Sequence, residues 1–176
     1  MMIAIREAVR SDIPKIARVH VDVWRSTYSG ILADNILARL SYKKREQAWH
    51  QVFNNAPNVG GFTLLAENEL AQVIGFADGG RERTGNETYK GELNAIYILE
   101  AYQHKGFGHT LVERVAQRLV HMKIYSMLTW VLEANPACGF YESLGGQIVL
   151  RKQIEIGHQR LSEIAYGWTN ISELSM

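Results

Sequence analysis

The chain has 176 residues, 47% hydrophobic and 21% charged, with a net charge of +1. Those values predict one globular domain with a sizeable core, and a charge too small to call for nucleic acid or an anionic membrane as partner. No apolar run approaches the roughly 20 residues of a membrane span, the charges in MMIAIREAVRSD come too early for a signal-peptide core, and one cysteine excludes an internal disulfide and a Cys-based zinc site. A cytoplasmic protein is expected.

Residues 3–8 read as a first strand, Ile3 and Ile5 alternating with Ala4 and Arg6. Ser11 and Asp12 are placed to cap a helix with Pro14 in its first turn, and Ile13, Ile16, Ala17, His20, Val21 and Trp24 share one face. After a loop at 26–32, a second helix is predicted over 34–53, with Ile36, Leu37, Leu40, Ala48, Trp49 and Val52 inward. The cluster 54–61, with Pro57 and a Gly pair, should break it. Strands follow at 62–67 and 70–79 around a turn at Asn68-Glu69, with Gly75 a bulge candidate, then a polar loop at 80–90.

Residues 92–99 are strand-like, with Ile96, Tyr97 and Ile98 at the end. A polar turn at 100–105 leads to Gly106-Phe107-Gly108, which opens a helix whose stripe is Phe107, Leu111, Val112, Val115, Ala116, Leu119 and Val120. SMLTWVL, 126–132, is a buried strand. Asn135 and Pro136 are placed to cap and open a short helix to Leu144, stopped by Gly145-Gly146. A final hairpin, 147–156 and 159–168, turns at Gly157-His158, and its edge is a candidate homodimer contact. The last eight residues are expected to be loose. The order is βαα, ββ, βαβα, ββ: a mixed α/β fold with a central mixed sheet and helices on both faces, spanning 1–176 as one domain.

The strand, glycine turn and helix at 92–120 make an anion site. The first amides of a helix lack internal partners, the macrodipole adds positive charge, and glycine lets a phosphate approach the backbone. Gln103, His104, Lys105, Gly106, Phe107, Gly108 and His109 should therefore cradle a phosphate or pyrophosphate. The pattern is not a P-loop, and Leu111 stands where a GxGxxG motif has its third glycine.

Gln103-x-x-Gly106-x-Gly108 directly after an apolar strand resembles the acetyl-CoA signature, Q/R-x-x-G-x-G/A, of the GNAT superfamily of N-acetyltransferases. The stretch from Asn135 through Phe140-Tyr141 to Gly145 is similar to that superfamily's block N-x-x-A-x-x-F-Y-x-x-x-G-F, and the order of elements is the GNAT order, so the resemblance spans nearly the whole chain. It has one residue fewer between Asn135 and Phe140 than the block, and it departs at Cys138, where alanine is usual counting from Asn135, and at Gly146, where Phe is usual counting from Tyr141. It implies acetyl-CoA as co-substrate and direct transfer, in a ternary complex, to a primary amine of a small molecule or a protein N-terminus.

The resemblance also assigns roles. The backbone of Ile96, Tyr97 and Ile98 would hold the pantetheine arm, the strand splaying from 126–132 to free an amide for the oxyanion. The plainer reading is an ordinarily paired central strand. Tyr141 matches the acid that protonates the leaving thiolate, and Asn135 the residue that hydrogen-bonds the pantetheine or nearby backbone. Glu92, eleven residues before Gln103, matches a general base acting through water; otherwise it is an exposed strand-start residue and water alone takes the proton. Trp24 and Tyr28 wall the acceptor site or are core aromatics. Arg81, Arg83 and Glu87 rim that site or belong to a solvated loop. Cys138, in a helix's first turn, where thiol pKa falls, could accept an acyl group or be a small buried residue. The six histidines show no metal pattern, and His20 reads as a satisfied core histidine. The rival functions are a non-catalytic acyl-CoA-binding module on the same fold and a nucleotide-binding α/β protein.

Overall fold

The computed structural model describes residues 3–175. Seven strands, β1 Ala4–Glu7, β2 Phe62–Glu67, β3 Val73–Arg81, β4 Gly91–Ile98, β5 Met127–Leu132, β6 Gln147–Ile156 and β7 Gln159–Trp168, form one sheet in the order β1-β2-β3-β4-β5-β7-β6. β4 and β5 are the parallel pair, joined through the crossover helix α4, Phe107–His121. The other neighbours are antiparallel.

Both faces of the sheet are covered. Leu64, Ile74, Leu93, Leu111, Val115, Leu119 and Tyr166 pack on the α4 side, which also carries α5, Cys138–Ser143. Ile13, Ile16, Val23, Trp49, Leu65 and Phe76 pack on the other, under α1, Ile13–Thr27, and α3, Tyr42–Val59. Leu64 and Leu65 go to opposite faces because successive strand side chains alternate. Burial on both faces is why β2 and β3 read as continuous apolar runs. No helix among the described residues is long and apolar enough to cross a membrane.

Four expectations need correction. The helix predicted at 34–53 is two, α2 Asp34–Ala38 and α3. Ser41 caps α3 by accepting from the Lys44 amide, and Ala48 and Val52 are exposed. The cluster after residue 53 continues α3: Pro57 sits in its last turn, where its fixed φ is already helical and few later bonds are lost. The stop is Gly60, left-handed at φ +66. Asn135-Pro136 does not open α5. Instead Asn135 Oδ1 accepts from the Ala137 amide, an Asx turn one step ahead of the helix. Of the last eight residues Met176 lies outside the described ones, and the stretch before it is anchored: Ile171 is fully buried against the core, its amide bonded to the Tyr125 carbonyl, in a 3-10 turn over Ile171–Ser175.

Asp12 also does other work than capping α1. Its carboxylate takes both Arg6 nitrogens, at 2.7 and 2.9 Å, and the Val9 amide at 2.9 Å, while Arg6 reaches Glu67 at 2.7 Å and so ties β1 to β2. The Arg6 hydrogen bonds hold Asp12 down at about 2, below its ordinary 3.8. A depressed carboxylate stabilises the fold above its unfolded pKa and loses that contribution as pH falls through the folded one. We expect about 1–2 kcal/mol, allowing for solvent screening at the partly exposed Arg6, to vanish as pH falls from about 4 to 2. Denaturant melts across that range should show a shallower acid decline for Asp12→Asn. Parallel declines would remove the pair from the acid response.

Candidate active site

β4 and β5 stay together for two residues only. Gly91 pairs with Met127 and Glu92 with Leu128; beyond that β4 continues to Ile98 on β3 alone. The register shows why. Asp78 faces Ala95 and Gly79 faces Leu93, so Asn94 is an extra residue, a bulge that bends and twists the strand away. Thr129, whose hydroxyl donates to the Leu93 carbonyl at 2.8 Å, makes the last stitch between the two strands. The β5-facing backbone edge of β4 beyond Leu93 therefore has no strand partner. Ile96 and Ile98 point to the α4 side and Tyr97 to the α1 side.

The far end of this gap is the glycine turn. Gly106 is left-handed at φ +82 and precedes α4, whose N-terminus no side chain caps, leaving the first amides free. The side chains around it do more structural work than the spacing suggested. Gln103 donates to the Ile98 carbonyl at 2.8 Å and fastens the turn to the strand end. Lys105 donates to the Ala101 carbonyl at 2.7 Å. Phe107 is core, so it offers only its amide. A Cβ on Gly108 would stand 3.2 Å from the Phe140 ring, so that glycine brings α4 against α5. His104, at φ +57, and His109 are exposed at the rim.

Tyr141, on α5, is enclosed by Phe140, Tyr166 and Trp168, at 5.3, 5.6 and 6.5 Å between ring centroids. Its hydroxyl lies within reach of Thr129, beside the stitch where the strands part. Burial, with smaller contributions from Tyr97 and Cys138, pushes the phenol's pKa up, so it is held protonated. Asn135 donates to the Tyr28 hydroxyl at 3.2 Å, and its Oδ1 is spent on the Asx turn. Tyr28 packs edge-on against Trp24 at 4.9 Å, and the Trp24 indole donates to the Tyr97 hydroxyl at 3.0 Å. Trp24 and Tyr28 are thus both core-packed and tied to the splayed strand.

Glu92 is neither exposed nor free. It is 3% exposed, and Arg83 holds both oxygens, Nη2 to Oε1 at 2.6 Å and Nε to Oε2 at 3.0 Å. It lies in the still-paired part of β4, and Arg83 is its clamp rather than a free loop residue. Cys138 also departs from expectation. Burial pushes its thiol pKa up, and Sγ lies near the Leu132 and Glu133 carbonyls, an environment that disfavours a thiolate. Sequence reasoning missed Asp78. This buried carboxylate accepts from Thr63 at 2.7 Å and from bulged Asn94 at 2.9 Å, and burial pushes its pKa up. An acid inside the apolar run Val73–Arg81 was the available signal. A groove of about 590 Å³ lies nearby, between the loop after α1 and the β6–β7 turn, lined by Leu32, Asn35, Arg39, His158 and Gln159. Gln159 bridges its walls through the Ala33 amide and the Ile31 carbonyl.

A parted parallel pair, with an uncapped helix N-terminus at one end and a buried phenol at the other, has the shape and the donors to take an extended, phosphate-bearing ligand. Residues 84–154 match the model of the FR47-like protein family. The chain is 39% identical to YuaI, an uncharacterized N-acetyltransferase of Bacillus subtilis, over 98% of this chain and 96% of that protein. The crystal structure of PaiA N-acetyltransferase from Thermoplasma acidophilum, in complex with coenzyme A, superposes with a TM-score of 0.72 at 22% identity, covering 93% of this chain and 98% of that one. Ribosomal-protein-alanine N-acetyltransferase from Brucella melitensis gives 0.72 at 21%, covering 94% and 98%. On the full-length match to YuaI, the chain belongs to the GNAT superfamily of N-acetyltransferases.

Proposed function

We propose that the protein moves an acetyl group from acetyl-CoA directly to a primary amine, of a small molecule or a protein N-terminus, within a ternary complex. The observation that carries this reading is the parting of β4 from β5 just beyond Glu92, with the Tyr141 hydroxyl beside the point of parting. The free amides at the start of α4, with Lys105 beside them, receive the pyrophosphate. The open backbone edge at Ile96–Ile98 pairs with the pantetheine amides and presents a donor to the thioester oxygen as charge grows on it. Tyr141 gives its proton to the departing thiolate. Water takes the amine's proton, a reading supported by Arg83 already engaging both Glu92 oxygens. Holding the two substrates in line supplies much of the rate. The reading includes a cytoplasmic setting, in keeping with one unpaired thiol, and a homodimer through β6, one of the two edge strands, where Ile148 and Leu150 are exposed.

The test is calorimetric titration with acetyl-CoA, followed by thiol release across a panel of amines. One-to-one binding and turnover on at least one amine are expected. A side chain at left-handed Gly106 costs about 1–2 kcal/mol and sets a Cβ where the phosphate approaches, so Gly106→Ala should weaken acetyl-CoA on the order of tenfold in a folded protein. Absence of acetyl-CoA binding would defeat the reading, and binding without turnover on any amine would favour a non-catalytic CoA-binding module.

A further inference from the structure

On the α1 side of the sheet a lysine ammonium is already held beside the gap. Alternation along the strands puts Trp130 and Leu132 of β5, Glu163 of β7 and Lys152 of β6 on that side, where Leu132, Leu161 and Ile154 share a core with Trp24 and Tyr28. Glu163 pairs with Leu132 on one flank and with Lys152 on the other. Lys152 Nζ lies 3.8 Å from the centre of the Trp130 ring and 3.1 Å from Glu163 Oε2. None of the three is sealed off. Trp130 is partly exposed, and the Lys152 and Glu163 side chains are 46% and 19% exposed.

This ammonium stands close to the parting of the strands. Thr129 makes the last stitch to β4, and Trp130 is the next residue along β5, the first past that stitch. Tyr97 lies on the same side, on the β4 wall of the opening. Glu163 acts electrostatically on the phenols of both Tyr97 and Tyr28, so its charge is felt across the mouth of the gap. Those two phenols act in turn on that of Tyr141, the proposed acid.

We infer that the face of Trp130 and the carboxylate of Glu163 form the subsite that takes the acceptor as a primary alkylammonium, and that Lys152 occupies it in the resting protein. An aromatic face beside a carboxylate is a combination that recognises an ammonium. Lys152 shows that an ammonium on an unbranched stem fits there. The occupant is replaceable, because an ion pair open to solvent contributes little and a lysine stem is free to swing clear. The acceptor is then a small alkylamine, since a carboxylate next to its amine would meet Glu163. In the acetyltransferase reading, on which this inference rests, the thiolate leaves toward Tyr141 on the α4 side of the sheet. The amine arrives from the α1 side, where this subsite lies.

The experiment measures thiol release with n-butylamine, the Lys152 side chain without its backbone, at saturating acetyl-CoA. The wild-type protein is expected to acetylate it. Lys152→Met empties the subsite and should lower the KM for n-butylamine about threefold, because a site blocked part of the time binds more weakly by that fraction. Glu163→Gln should raise that KM at least about tenfold, as loss of a charged hydrogen bond allows, and Glu163→Asp should recover part of the loss. The KM for acetyl-CoA should stay the same in all three. An ion pair that only braces the sheet would move the melting temperature and neither KM. An n-butylamine KM that stays or rises in Lys152→Met, or stays or falls in Glu163→Gln, overturns the inference. So does failure of n-butylamine as acceptor in a protein that still binds acetyl-CoA, an outcome that leaves the acetyltransferase reading standing. Loss of acetyl-CoA binding in the wild-type protein would defeat both.

Discussion

Tyr141→Phe is expected to lower kcat by roughly 10²-fold or more, the usual contribution of a positioned acid, while acetyl-CoA affinity and melting temperature stay near wild type. The ring does the packing, against Phe140, Tyr166 and Trp168, and Phe retains it. The hydroxyl is the proposed proton donor, and little else depends on it: Thr129 keeps its bond to the Leu93 carbonyl when the phenol is gone. Because burial raises the phenol's pKa above the ordinary value, Tyr141 remains a proton donor throughout the neutral range and beyond it. The activity of the wild-type enzyme should therefore not fall through loss of this proton below about pH 10. The measurement is thiol release on any accepted amine, with thermal melts alongside. A kcat within twofold of wild type would make Tyr141 a packing residue and leave the thiolate to find its proton in solvent.

Gly146→Phe is the second large effect, and it runs against family resemblance. The block that Asn135–Gly145 resembles ends in Phe, so restoring Phe at 146 looks conservative. In this fold the space is taken. A Cβ on Gly146 would stand 2.7 Å from Trp168 Cζ2 and 2.9 Å from the Tyr141 carbonyl. Trp168 is fixed there, buried, with its indole donating to the Leu144 carbonyl at 2.8 Å. The indole from β7 fills the volume that a side chain at 146 would need. Overpacking against a carbonyl and an anchored ring should cost about 3 kcal/mol, a fall in Tm of roughly 6–12 °C for a chain of this size. Adding Trp168→Ala should recover part of the loss. An unchanged or raised Tm in Gly146→Phe alone would show that Trp168 vacates its place at little cost.

Local chemistry decided what the sequence could disclose. The β6–β7 hairpin was readable to the residue because alternation on either side of Gly157-His158 is a short-range signal. The stripe from Phe107 to Leu119 was readable for the same reason. The break at residues 39–41 was not, because Leu37, Leu40 and Trp49 keep a helical rhythm across it and only Ser41 marks the restart. Ile171 could not be seen to dock, because its partners lie far upstream. Gln103 to His109 and Tyr141 sit in motifs, so the sequence singles them out as candidates. The Arg83 clamp on Glu92, the Asp78–Asn94 bond and the buried His20 Nε2, unpartnered among the described residues, arise only once separate segments meet. Spacing along the chain carries no trace of them.

Gly108 has a mechanical consequence. With no side chain there, the Phe140 ring seats directly on the first turn of α4, and Tyr141 is the next residue along. The end of the molecule that would grip phosphates and the helix that carries the proposed proton donor are thereby packed directly on each other. A ligand anchored by its pyrophosphate is indexed to the phenol by that packing, as a workpiece clamped at one end is indexed to a fixed tool. Register between handle and reacting atom then rests in part on the seat of Phe140 against Gly108.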